Sequence, residues 1–345
     1  MIQYNNFFND IMLLTANNIV SLKLFLFIIL ILIFSIVIDV VFGELPVKIH
    51  PVVIIGNLTD IFKNIFIKIK NRFSGLLLFL VMLITTSLIV FLIYYISSFN
   101  VIIIFIVYSV LLSSTFSINM LLKTAIDVKN DLNESIDKAR KSVSYLVSRS
   151  TDELTESFIV SAVIESLTEN ITDSFIAPVF YYFIISLIIL YTEIDYKLYL
   201  LLLVPVLYRL CNTLDAMVGY KTDDLKYIGY IPAKIDDILN YIPARIAGIY
   251  VIISAYILKM DWKNAYKIMK RDAGTCPSPN SGYTMASTAG ALNIQLIKKE
   301  TYILGDNNKD IIVDDIEKAV KLSKLTIILF TISIISLLIL IQVLL

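Results

Sequence analysis

Glu165, Glu169 and Asp173 stand four residues apart, so on a helix all three project from one face, with Asn170 beside them. Like charges at that spacing repel. The run therefore calls for a partner: a metal ion, an arginine such as Arg149 or Arg209, or an amine substrate. A carboxylate held this way can also serve as a general base. Between Lys234 and Arg245, Asp236 or Asp237 with Asn240 offers hard oxygen ligands one turn apart, the kind Mg²⁺ takes when it bridges to phosphate. Lys234 and Arg245 add cations for phosphate oxygens. Arg209, Asn212 and Thr213 form a donor-rich face suited to a carboxylate or phosphate, and Asp215 and Lys221 continue that run. The turn Ser278-Pro279-Asn280-Ser281-Gly282 can present amides and hydroxyls to an anion. Asp39, Glu44 and His50 flank the end of the first apolar segment, which Gly43 and Pro46 break. Each cluster also has a structural reading as a solvated face, a capped helix end, a salt-bridged helix or a plain turn.

The elements that must position these groups are apolar helices. Of 345 residues 58% are hydrophobic and only 17% charged, where about a quarter is usual for a soluble domain. Leu24–Val41, Leu76–Ile96, Val101–Leu122, Ile176–Tyr191 and Thr326–Leu345 hold no Lys, Arg or Glu, and Asp39 is their one charge. Several reach the roughly 20 residues that cross a hydrocarbon core. This excludes a soluble globular protein, a disordered chain and a nucleic-acid-binding module. The fold class is all-α: a multi-pass integral membrane protein with large cytoplasmic helical loops.

Ionisable groups at membrane helices are costly and hence functional candidates. The clusters gather where polar stretches meet spans. Lys and Arg number five in Phe42–Gly75, six in Lys123–Ser157 and eleven in Lys259–Lys324, against none in Ser97–Asn100. By the positive-inside rule the three rich stretches are cytoplasmic. Leu198–Leu210 pairs with Ile176–Tyr191 as a hairpin, and Ile246–Leu258 is expected not to span. The first apolar run is not followed by a small-x-small cleavage site and is expected to stay as a helix. Residues 1–23 form an N-terminal segment and 24–345 one integrated membrane domain. Two cysteines and one histidine leave no Cys/His metal site, and no Walker A loop is present.

Seven runs carry a family resemblance. They are D-x-x-F-G-E-x-P with H-P (39–51), S-T-F-S-I (114–118), L-V-S-R-x-T (146–151), E-S-L-x-E-N (165–170), N-T-L-D-A-M-V-G-Y-K (212–221), A-K-x-D-D-x-L-N-Y-I-P-A-R (233–245) and S-P-N-S-G (278–282). In this order they resemble the CobD/CbiB family, the adenosylcobinamide-phosphate synthases of cobalamin biosynthesis. Ser150 stands where an acidic residue is expected, and the first 20 or so residues have no counterpart. The resemblance implies a membrane enzyme that joins (R)-1-amino-2-propanol, or its O-phosphate, to a propionate carboxylate of adenosylcobyric acid. The corrinoid is then substrate rather than prosthetic group, and other corrinoid-pathway enzymes or a second copy of the chain are further partners. Amide formation from a carboxylate needs activation, most simply by ATP with Mg²⁺. On this reading Asp236, Asp237 and Asn240 hold Mg²⁺–phosphate, and Lys234, Arg209 and Arg245 neutralise anions. Glu165, Glu169 and Asp173 receive the ammonium and supply the base, while Asp39, Glu44 and His50 close the site. The alternative is a transporter of a charged solute or corrinoid, which calls for charges near mid-span and symmetric halves.

Overall fold

The computed structural model describes residues 3–147, 150–192, 194–220 and 222–344, with side chains from Leu22 onward. Among these residues, five helical segments are long and apolar enough to cross a bilayer: Leu22–Phe42, Phe73–Ser97, Glu156–Tyr191, Lys197–Val218 and Asp314–Leu344. The first belongs to α1 (Gln3–Phe42), and the second is α3, joined to α1 through the amphipathic α2 (Pro51–Phe66). The third consists of α7 (Glu156–Ile171), a π-helical turn at Thr172–Ile176 and α8 (Ala177–Tyr191). The fourth and fifth are α9 and α14.

The expected span Val101–Leu122 is interrupted. Helix α4 (Val101–Ser113) stops short, and α5 (Asn119–Glu134) begins after a non-helical stretch. The cause is Asp39 near the end of α1. Its carboxylate, 2% exposed, accepts the N–H groups of Ile118 and Asn119 at 2.9 and 3.0 Å. Backbone freed from a helix at membrane depth must be satisfied by protein, and here another helix does so. Tyr108 of α4 donates to the Leu198 carbonyl at the start of α9 (2.8 Å). Thus α4 runs from the level of that turn back to the level of the α1 terminus.

Two hydrophobic cores follow. The first is the membrane bundle, filled by large side chains such as Tyr108, Phe175, Tyr182 and Phe330. In the second, α5, α6 (Ile136–Ser144) and the first half of α7 pack with α12 (Trp262–Asp272), α13 (Gly282–Leu292), the hairpin β1–β2 (Leu296–Lys298, Tyr302–Leu304) and the start of α14. One core cannot be divided by a bilayer, so the stretches 123–157 and 259–324 lie on the same side. Helices α10 (Tyr230–Leu239) and α11 (Tyr241–Ile257) meet at a 47° bend. Residues before the bend pack at the α3 entrance, where Gly75 abuts Ile228, and Ala255 after it packs with Ala265 of α12. The bent pair therefore links the α3 entrance to the second core, as a broken span or a re-entrant loop.

Three elements outgrow their sequence-based limits. Helix α9 continues to Val218 rather than stopping at Leu210, which brings Arg209, Asn212 and Asp215 into a spanning helix. The apolar run from Ile176 is the second half of a 36-residue rod. Helix α14 begins at Asp314, twelve residues before the apolar tail.

Candidate functional site

The acids on α7 sit where the two cores meet. Glu165, 4% exposed, accepts from the Ser161 hydroxyl at 2.6 Å and the Tyr302 hydroxyl at 2.9 Å. Ser161 in turn accepts the Ile297 N–H at 3.0 Å. These bonds dock the β-hairpin on the helix. Burial, together with the adjacent Glu165 carboxylate, pushes the Tyr302 phenol well above its ordinary range, so it stays a donor. Burial likewise raises the nearby Cys276 thiol to about 11. Glu169 and Asn170 line a recess of about 120 Å³ together with Glu165, Lys298 and Tyr302. Unlike Glu165, Glu169 makes no side-chain hydrogen bond among the described residues.

Asp173 falls in the π-helical turn, a feature often found at functional sites. It stands beside Asn212, Arg209, Glu169 and Asp215. Asp173 and Glu169 thus stand near α9, whereas Glu165 is turned toward the hairpin. Arg209 donates from Nη1 to Asn212 Oδ1 at 3.2 Å, while its buried Nε has no partner among the described residues. A buried donor without an acceptor calls for an explanation. The Arg209 guanidinium lines a cavity of about 250 Å³ with Glu44, Ser117, Asn170 and Ser174. Ser166 and Asn170 border both this cavity and the Glu169 recess.

A third cavity, about 420 Å³, opens on the other side of α9 and is lined by Asp215, Asp236, Asp237, Lys226, Lys234 and Ser278. The expected metal set divides here. Asp236 points inward and accepts from Asn240 Nδ2 at 3.0 Å and Asn212 Nδ2 at 3.4 Å. The other end of the Asn240 amide accepts from Tyr208 at 2.8 Å, so both of its ends are engaged. Successive helical residues diverge by about 100°, and Asp237 faces outward, toward Lys234 at 3.6 Å and the Ser278 hydroxyl at 3.3 Å. Among the described residues, no three His, Cys, Asp or Glu side chains converge as a metal-binding group. Asp215 packs over the backbone at Gly219, where a Cβ would lie 2.0 Å from its Oδ1. At Gly229 a Cβ would meet the Val218 carbonyl at 1.8 Å, so both ends of this loop require glycine.

The turn at 278–282 closes the cavity. Asn280 donates to the Asp237 carbonyl (2.8 Å) and accepts from Arg245 Nη1 (3.3 Å). The Arg245 guanidinium stacks on Tyr241 and Tyr283, 3.4 and 4.4 Å from the ring centres.

The first-helix residues separate. Asp39 is engaged by backbone, as described. Glu44 accepts from Ser117 at 2.9 Å and reaches the Arg209 cavity. His50 caps α2, accepting the Val52 N–H on Nδ1 at 3.2 Å. Burial lowers its pKa, with Arg209 acting the same way against the opposing pull of Glu44, which suits a neutral acceptor. Arg149 and Lys221 lie outside the described residues. Sequence reasoning missed Ser161, Tyr208, Lys226, Lys298 and Tyr302. The available signal was the strand–turn–strand pattern of 296–304, whose two strands flank a polar turn.

These features define a multi-pass helical membrane protein with a polar seam, rich in carboxylates and cations, along one edge of its bundle. The family model described as CobD/Cbib protein matches residues 32–326, and the chain belongs to this family. A protein from Methanothermobacter thermautotrophicus named probable cobalamin biosynthesis protein CobD is 41% identical over 304 residues, covering 88% of this chain and 95% of its own. One of the same name from Methanococcus aeolicus is 40% identical over 286 residues, 80% and 87% of the two chains. A cobalamin biosynthesis protein CobD from Dehalococcoides mccartyi is 33% identical over 287 residues, 81% and 87%. No solved structure matches the chain.

Proposed function

We propose that this protein is an adenosylcobinamide-phosphate synthase working at the cytoplasmic face of the cell membrane. It joins (R)-1-amino-2-propanol or its O-phosphate to a propionate carboxylate of adenosylcobyric acid through a new amide bond. One observation carries the reading. Glu169, a carboxylate without a hydrogen bond among the described residues, and Arg209, with a buried unpartnered Nε, border adjoining cavities. An ammonium substrate complements the first, and a carboxylate substrate complements the second. Glu169 would take the proton as the ammonium becomes a free amine. Arg209 would hold the propionate oxygens and stabilise the oxyanion as nitrogen attacks the carbonyl carbon.

Mg-ATP would supply phosphoryl activation of the carboxylate. The Asp237 cavity suits it, because Mg²⁺ relies on one or two carboxylates plus phosphate oxygens. Asp215 and Asp237 would supply those carboxylates, and Lys234, with Lys226 once released from Asp223, would neutralise the phosphates. Asn240 leaves the expected ligand set, since both ends of its amide are already bonded.

The test is direct: purified protein with adenosylcobyric acid, either amine and Mg-ATP, with products identified by mass. The expected product retains the amine nitrogen and has lost one oxygen from the carboxylate. Absence of that product with both amines overturns the assignment.

A further inference from the structure

Between α1, α5 and α14 the surface folds into a groove of about 640 Å³, apart from the polar seam. Its walls are mainly aliphatic, including Ile36, Leu122, Ile327 and Ile328. Helix α14 contributes positions 320, 324, 327, 328, 331 and 332, one continuous helical stripe. Only two charged side chains line the groove, Lys123 and Lys324, and both are exposed. Neither forms an ion pair or hydrogen bond among the described residues. Lysines nearby on the same helices are paired: Lys129 with Asp314 and Glu317, Lys318 with Asp315, and Lys321 with Glu317.

The two free ammonium groups also stand at the right depth. Lys324 is the last charge before α14 becomes an apolar span. Lys123 lies one turn beyond Asn119, whose N–H is held by Asp39 where α1 leaves the membrane. An apolar groove with two uncompensated cations at its rim, level with the bilayer surface, complements an amphiphile with a compact anionic head. Basic pockets between membrane helices bind such headgroups. A second copy of the same groove would bring two more lysines and repel.

We infer that this groove is a binding site for one anionic phospholipid, its phosphate between Lys123 and Lys324 and a chain along the α14 isoleucines. At roughly tenfold or less for each lysine, charge selection by the pair should favour an anionic over a zwitterionic lipid by about 30-fold.

The experiment measures binding of labelled phosphatidylglycerol and phosphatidylcholine, with identical chains, to the full-length protein in neutral detergent. Wild type should prefer phosphatidylglycerol by about 30-fold. Lys123→Gln with Lys324→Gln should remove the preference, and Lys123→Arg with Lys324→Arg should keep it. Ile328→Trp, which fills the groove, should weaken both lipids. Excess inorganic phosphate should not displace the lipid. Equal wild-type affinities, a preference that survives the double glutamine variant, or displacement by inorganic phosphate would each overturn the proposal. Should the glutamine variant fail to fold, the wild-type ratio and the arginine variant decide it.

Discussion

At one end of the bundle the chain turns within short connections, as at Ser98–Asn100, too short to enclose a side-chain cluster. At the other end α5, α6, α12, α13 and the hairpin build a second core against the root of α7. The first end places hydroxyls on backbone, as Tyr108 does on Leu198. The second places them on carboxylates, as Tyr302 does on Glu165. The difference teaches where an acid can be held in a membrane protein. It needs extramembrane structure to supply donors and a bundle to supply burial, and α7 is the element common to both.

The sharpest break in that comparison is topological. Cysteines placed at Lys63, Lys138 and Lys309 should resist an impermeant reagent on intact cells, while one at Asn100 should label fully. Strong external labelling at Lys309 would mean that α10–α11 crosses after all.

Next in size is Glu169→Gln. It keeps shape and removes charge, and turnover should fall at least about 100-fold with the protein still inserted. A near-normal rate would return Glu169 to a structural role.

Within the third cavity the two neighbouring aspartates should part company. Asp237→Asn loses only a partly exposed partner of Lys234, so stability should change by about 0–1 kcal/mol. The Mg²⁺ concentration for half-maximal activity should nevertheless rise roughly tenfold, equivalent to about 1.4 kcal/mol. Asp236→Asn sets an amide against the amides of Asn212 and Asn240 and should cost about 1–3 kcal/mol of stability. A Mg²⁺ titration beside a thermal melt separates the two, and overlapping titrations for wild type and Asp237→Asn would remove the metal assignment.

The smallest effects come from Tyr302→Phe and Tyr108→Phe. Each deletes one hydroxyl donor and should cost about 1 kcal/mol. Only Tyr302→Phe should also slow turnover, by about three- to tenfold, because its partner is a charged carboxylate beside Glu169. Equal turnover in the two variants would place Glu165 outside the reaction.

Much of the fold was legible because apolar length is a strong local signal: α3 and α8 match runs free of Lys, Arg and Glu, and such runs form the membrane parts of α1 and α14. The end of α4 was not legible, since its cause, the Asp39 carboxylate on Ile118, lies 79 residues away in the chain. The π-helical turn was equally invisible, as nothing in Thr172–Ile176 marks it. Among site residues, the pairing of Arg209 with Asn212 follows from helical spacing. The divergence of Asp236 and Asp237 also follows from spacing once the helix is known, but which of them faces inward depends on Tyr208 and Asn212 of α9. Tyr302 was hidden because its strand reaches Glu165 only through the fold of the second core.

The π-helical turn at Thr172–Ile176 has a further consequence for how this rod can change over time. Such a turn accommodates one residue beyond α-helical registry, so it keeps the anchored half of the rod and the acid-bearing half in phase despite the extra residue. Deleting Ser174 alone should let the rod close into a continuous α-helix, with Glu165 and Glu169 keeping their bearing relative to α8. Loss of a second residue, with no slack left to absorb it, would rotate the acidic edge by about 100° around the axis, like a key in a lock.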